Sequence, residues 1–286
     1  MRIAVVATVW LLGCGEFLGL GDFDDAPPGV GGGGQSASSS STGGQASSSS
    51  SGGGGTPAQC PPVMFGPQLV AVDGYCMDVT EVTEGQYRAW LDTDPPTSGQ
   101  PPFCSQNIAF WDLAIDEPPR GSKLPVVRVD WCDALAFCVA AGKRLCGGVR
   151  GKLLDYVVSG PIDSLESEWH LACTNQGTTT FPYGDVYEAQ RCNGMEAPGD
   201  MIVPVGELAG CRTRLAIFDL SGNVYEWEDA CEAMTGATDR CQRRGGSYKS
   251  AQVNMPCEGN DSTDYTRLDA TGETTGIRCC ADILSQ

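Results

Sequence analysis

The 286-residue chain contains one histidine, His170, and that scarcity removes several chemistries at once. A 2-His-1-carboxylate iron centre needs two imidazoles. A Ser–His–Asp device would depend on the same single ring, and no serine near it sits in a nucleophile motif. His170 lies in Glu168-Trp169-His170 on a short predicted helix, where packing accounts for it better than ligation. Zinc is disfavoured too, since Cys-x-x-Cys occurs nowhere in the chain. Cations are scarce: 18 Lys and Arg face 36 Asp and Glu, for a net charge of −18. Removing residues 1–55, with one Arg and four acids, leaves 17 − 32 = −15 on the rest. A field of that sign repels phosphate backbones, so nucleic acid is excluded as a partner. It favours cations such as calcium, and basic or neutral ligands; solubility alone would also explain it. Long apolar runs are absent as well, and no segment approaches the ~20 residues that span a bilayer.

What is present begins at the N-terminus. Met1-Arg2, the apolar run Ile3 to Leu12 and Gly13 have the layout of a secretory signal, residues 1–13. Leu11-Leu12-Gly13-Cys14 resembles the lipobox of bacterial lipoproteins, which implies a lipid on Cys14 and a membrane as partner. Gly15 rather than Asp follows, which favours the outer membrane of a Gram-negative host. Residues 14–28 then form a lipidated segment, and residues 29–55 are nearly all Gly, Ser, Ala and Gln. Such a tract cannot bury enough surface to offset chain entropy and reads as a disordered linker. Residues 56–286 are the expected globular domain, outside the cytoplasm.

Fifteen cysteines fit that compartment. Setting Cys14 aside leaves fourteen, an even number that predicts a framework of up to seven disulfides. Cys279 and Cys280 are neighbours, too close for an unstrained bridge, so each needs a different partner. Regular structure is sparse, with 38 Gly and 18 Pro breaking the apolar runs. Helices are expected from Thr83 as N-cap through Leu91, from Asp130 to Ala141 with Gly142 as C-cap, and over Ser164 to Cys173. Strands are expected at Val126 to Val129, Ile202 to Val205 and Arg243 to Tyr248.

Four groups of strings carry a resemblance. They are Met77-Asp-Val-Thr-Glu-Val-Thr83; Leu124-Pro-Val-Val-Arg-Val-Asp-Trp131 with Gly142-Lys-Arg-Leu145 and Glu168-Trp169; Phe181-Pro-Tyr-Gly184 with Phe218-Asp-Leu-Ser-Gly-Asn-Val-Tyr-Glu-Trp227; and Arg244-Gly-Gly-Ser-Tyr248 with Gly276-Ile-Arg-Cys279. In this order they resemble the formylglycine-generating enzyme, or sulfatase-modifying factor, family across residues 75–282. The resemblance implies an α+β, C-type-lectin-like fold with little regular structure, rich in disulfides. It implies the pairs Cys138–Cys279 and Cys173–Cys257. It also implies a calcium site of the Asp219 and Glu226 side chains with the Gly222 and Val224 carbonyls, hard oxygens of the kind Ca²⁺ takes. A second set, Asn193, the Gly194 carbonyl and Asp200, maps less cleanly.

The family enzyme oxidises a peptide cysteine with O₂ and copper held by two thiolates, ligands that suit soft Cu(I). At the matching positions this chain has Ser250 and Met255, and Cys257 is claimed by a disulfide. Copper is therefore not expected. The reading that follows is a calcium-stabilised binding or structural domain, its cleft lined by Tyr225, Trp227, Ser247, Tyr248 and Ser250, for an unidentified peptide, glycan or protein. The alternative is an oxidoreductase of the same family, or of its nonheme iron relatives, with a divergent metal site.

Overall fold

A computed structural model describes residues 59–110, 123–152, 154, 166–261, 265–269 and 272–284. The predicted signal peptide, Cys14 and the Gly/Ser linker fall outside these residues. Helix α1 (Glu84–Leu91) starts where Thr83 and Gln86 form a capping box. The Thr83 hydroxyl accepts the Gln86 N–H at 3.2 Å, and Gln86 Oε1 accepts the Thr83 N–H at 2.9 Å. Tyr87 and Trp90 point inward and meet Phe137 of α2 (Trp131–Ala140), with ring centroids 5.4 and 5.6 Å away. Asp130 caps α2 through the Asp133 N–H, and the chain leaves it at Gly142, φ +75°. Helix α3 (Glu168–Cys173) is shorter than its expected span. Ser167 is its cap, accepting the His170 N–H at 3.1 Å, and that bond sets the start; residues 164 and 165 lie outside the described residues. His170 is buried within it.

Strands β1 (Leu69–Ala71), β2 (Tyr75–Asp78), β3 (Arg144–Leu145) and β8 (Cys279–Asp282) form one sheet in the order β1-β2-β8-β3. Strands β4 (Tyr225–Cys231), β5 (Cys241–Arg244), β6 (Asn260–Asp261) and β7 (Thr275–Gly276) form the second, in the order β6-β5-β4-β7. Two expected strands are not there. Val126–Val129 is buried, but Arg128 turns back at φ +63°; only scattered bonds such as Val126 N–H to Val82 O, 2.9 Å, hold the segment. At Ile202–Val205 the backbone of Val203 is paired with a side chain instead of a neighbouring strand. Asn223 Oδ1 accepts the Val203 N–H at 3.0 Å, and Asn223 Nδ2 donates to the Val203 carbonyl at 3.3 Å. The strand expected over Arg243–Tyr248 survives only as the end of β5, because Gly245 and Gly246 turn it at φ +94° and +77°.

All fourteen cysteines of the domain pair, in seven disulfides. Both pairs implied by the resemblance, Cys138–Cys279 and Cys173–Cys257, are among them. Cys280 takes Cys146. Successive residues of a strand face opposite ways, which sends the two neighbours to separate cores. Cys279 packs with Trp131, Phe137 and Trp227; Cys280 packs with Met77, Trp169 and Ile217.

Buried ion pairs join these cores. Arg278, with no exposed surface, grips Glu226 in a fork: Nη2 donates to Oε1 at 2.7 Å and Nε to Oε2 at 2.8 Å. Its remaining donors reach the Asp78 and Phe218 carbonyls, both at 2.7 Å. Trp169 Nε1 adds a third donor to Glu226, at 2.6 Å. Lys143 pairs with Asp78, Arg144 forks onto Glu168 at 2.6 and 2.7 Å, and Arg244 pairs with Glu228 at 2.7 Å. Removing one partner from a buried pair strands the other charge, at a cost of about 3–5 kcal/mol. Arg278→Met should therefore lower the Tm by roughly 10 °C, at about 2–4 °C per kcal/mol for a domain of this size. Thermal denaturation followed by circular dichroism checks this, and a drop of only a degree or two would show that the pair does not anchor the fold.

Candidate functional site

The loop entering β4 gathers acids around the same guanidinium. Asp219 (φ +61°) accepts the Gly206 N–H through Oδ2 at 2.6 Å. Glu81 is fully buried and accepts Asn223 Nδ2 on both oxygens, at 3.0 and 3.3 Å. Glu81, Asp219 and Glu226 thus share one cation, Arg278. Burial raises the Glu81 carboxyl well above its ordinary range, and the charges of Asp219 and Glu226 add to the effect. Burial likewise pushes Asp219 up to about 6, opposed by the Gly206 N–H and Arg278. The backbone here is tight. Gly222 stands at φ +84°, and a Cβ on it would lie 2.4 Å from the Asn193 carbonyl.

The implied calcium set Asp219, Gly222, Val224 and Glu226 is therefore contiguous, buried and short of positive charge. Hard oxygens with buried negative charge are the donor chemistry a divalent cation takes, and the set offers it in kind, while both Glu226 oxygens also accept donors from Arg278 and Trp169. Among the described residues no three His, Cys, Asp or Glu side chains are grouped to hold a metal, so such a site would rest on two carboxylates and main-chain oxygens. The second set differs. Asn193 is buried and donates to the Met201 carbonyl and to Asn223 Oδ1, both at 3.0 Å. Asp200 is exposed, and its charge acts on Lys249. Asn193 spends its amide N–H groups on fixing the loop, and the Gly194 carbonyl accepts the Ala197 N–H at 2.9 Å.

The expected cleft is a packed interior. Tyr225, Trp227, Ser247, Tyr248 and Ser250 are all at most 8% exposed. Tyr225 Oη lies 3.0 Å from Ser250 Oγ, which also accepts the Ser247 N–H at 2.9 Å. The Tyr225 ring is covered by the Arg243 guanidinium, 4.3 Å from its centroid. Trp227 Nε1 donates to the Val129 carbonyl at 3.0 Å, and Tyr248 packs with Val127, Ile202 and Val224. Among the described residues their hydroxyls and rings satisfy one another. Met255 is 1% exposed and so close to Gly194 and Gly222 that a Cβ on either would lie 2.9 Å from its methyl.

Glu81 and Asn223 are site residues that sequence reasoning left unassigned. A lone acid inside the apolar string Val79-Thr-Glu-Val82 was the available signal. Two open depressions of the described surface are lined by other residues. One of about 420 Å³ is walled by Trp90, Phe110, Leu135 and Val139, and another of about 500 Å³ by polar residues around Tyr183 and Arg191.

Similar proteins were found by sequence. Serine/threonine-protein kinase pkn1 of Chlamydia pneumoniae is 24% identical over 75% of this chain, which spans only 34% of the kinase. The formylglycine-generating enzyme of Mus musculus is 25% identical, over 75% of this chain and 68% of the enzyme. The inactive C-alpha-formylglycine-generating enzyme 2 of Mus musculus is 25% identical, over 60% of this chain and 55% of that protein. The solved structure of PvdO from Pseudomonas aeruginosa superposes with a TM-score of 0.47 at 18% identity, covering 73% of this chain and 80% of PvdO. The sulfatase-modifying factor enzyme 1-like domain matches residues 37–283. That span carries every motif and ion pair described above, and the chain belongs to this family.

Proposed function

We propose that the protein is a non-catalytic member of its family, a calcium-stabilised binding or structural module displayed outside the cytoplasm on a lipid anchor at Cys14. One observation carries the non-catalytic part. Where the resemblance puts the copper thiolates, Ser250 and Met255 are buried, and the fourteen cysteines of the domain are all held in disulfides. A hydroxyl and a thioether offer Cu(I) no thiolate charge. Ser250 is further tied to Tyr225 and Ser247, so there is little room for a peptide cysteine to approach it. Family relatives described as inactive, from mouse and cattle, support the same reading. The excess of acid around Arg278 supports calcium, whose charge would be balanced by Asp219 and Glu226. The lipobox-like string and the Gly/Ser tract support an anchored domain held clear of the outer membrane.

Three outcomes are expected. Incubated with Cu(I), O₂ and a Cys-x-Pro-x-Arg peptide, the purified protein should leave the thiol intact by mass spectrometry; conversion to an aldehyde would overturn the non-catalytic reading. A calcium chelator should lower the Tm of the wild type and leave that of Asp219→Asn unmoved, whereas an unchanged wild type would remove the metal. Cys14→Ser should shift the protein from the membrane to the soluble fraction of the producing cells, and unaltered partition would dismiss the anchor.

A further inference from the structure

We infer that the polar pocket of about 500 Å³ beside Tyr183 binds the carboxylate or sulfate of an acidic saccharide. Arg191, Arg212 and Arg214 line it, three of the 18 cations in a chain with 36 acids. Two of them are held together covalently. Arg191 precedes Cys192, Arg212 follows Cys211, and the Cys192–Cys211 disulfide brings those backbones within 4.8 Å, Cα to Cα. Arg214 is set from the other side, its N–H donating to Asn175 Oδ1 at 2.9 Å.

The charges there are mostly unspent. Arg191 meets Glu188 at 3.2 Å, donates to the Gly210 carbonyl at 2.9 Å and lies over the Tyr183 ring. Arg212 and Arg214 have no carboxylate partner among the described residues, although the surface is rich in acids; Arg212 lies only against the Phe218 ring, at 5.9 Å. Asp185 also lines the pocket, but its Oδ1 accepts the Thr180 N–H. Three guanidiniums lining one pocket repel one another unless an oxyanion lies among them, and their planar forks match carboxylate and sulfate. The remaining wall mixes the amide and hydroxyls of Asn175, Thr179 and Thr213 with the small apolar faces of Pro182 and Ala209 and the Tyr183 ring, a surface that suits the hydroxyls and ring face of a sugar better than a lipid chain. The volume lies within the range of small-ligand sites. Attraction is confined to a Debye length of about 8 Å, beyond which the chain's own acids dominate. That favours a short acidic sugar over an acidic globular partner. This inference is independent of the non-catalytic reading and goes beyond it.

Calorimetric titration of the full chain tests the inference, with trigalacturonate and a sulfated chondroitin disaccharide as probes. Galactotriose, inorganic sulfate and triglutamate are the comparisons. Both acidic sugars should bind, weaken as salt rises, and weaken at least tenfold in Arg212→Gln/Arg214→Gln, whose exposed substitutions should leave the Tm unchanged. Galactotriose should not bind. Sulfate binding as tightly as the sugars, triglutamate binding more tightly, acidic-sugar binding untouched by the double substitution, or no acidic-sugar binding would each overturn the inference. None of these results bears on peptide oxidation, so the two readings fail separately.

Discussion

Arg278 is the point through which the architecture is tied together. Its guanidinium sits at the start of β8, holds Glu226 of β4 in a fork, and reaches the carbonyls of Asp78 on β2 and Phe218 in the loop before β4. Trp169 of α3 completes the shell of Glu226. One side chain therefore links both sheets, a helix and an irregular loop. A charge taken so far from water is tolerated only when its donors and countercharge are met. That condition dictates the neighbouring residues. Several residues of the strings that carry the family resemblance form further buried pairs: Asp78 with Lys143, Glu168 with Arg144, and Arg244 with Glu228.

Disulfides do for the irregular segments what hydrogen-bonded ladders do elsewhere. Cys138–Cys279 and Cys146–Cys280 close loops of 141 and 134 residues, ending on opposite faces of β8. Crosslinks over such spans remove much of the entropy of the unfolded chain. The helices can then be short and several strands only two residues long. The Cys192–Cys211 bridge has a second consequence, since it fixes two arginines beside one another on an acidic surface.

The ion pairs of the fold and the Ser250–Met255 region answer different physical demands. The ion pairs and caps lie in the core and must be kept for folding. Ser250 and Met255 stand at the positions where the family resemblance puts two thiolates. A small hydroxyl bonded to Tyr225 and a flexible thioether packed on Gly194 and Gly222 fill the space there. The described residues of this region pack as ordinary interior.

Much of this was legible in the chain alone. Thr83 and Asp130 announced two helices because caps act over three or four residues, a local code. An even cysteine count, with Cys279 beside Cys280, required separate partners because bridge geometry forbids neighbours from joining. The absence of paired thiolates could be read by position. Tertiary structure decided what depends on residues far apart. Val126–Val129 and Ile202–Val205 look like strands, yet their backbone groups are met by Val82 and by the Asn223 side chain, contacts that no local pattern encodes. The family resemblance puts Tyr225, Ser247 and Ser250 in a cleft, whereas their burial and mutual bonds exist only once distant segments meet. Arg191, Arg212 and Arg214 look like scattered cations until a disulfide and a turn bring them to one pocket. Local sequence settles caps, charge and crosslinking capacity, while burial and convergence are properties of the assembled chain.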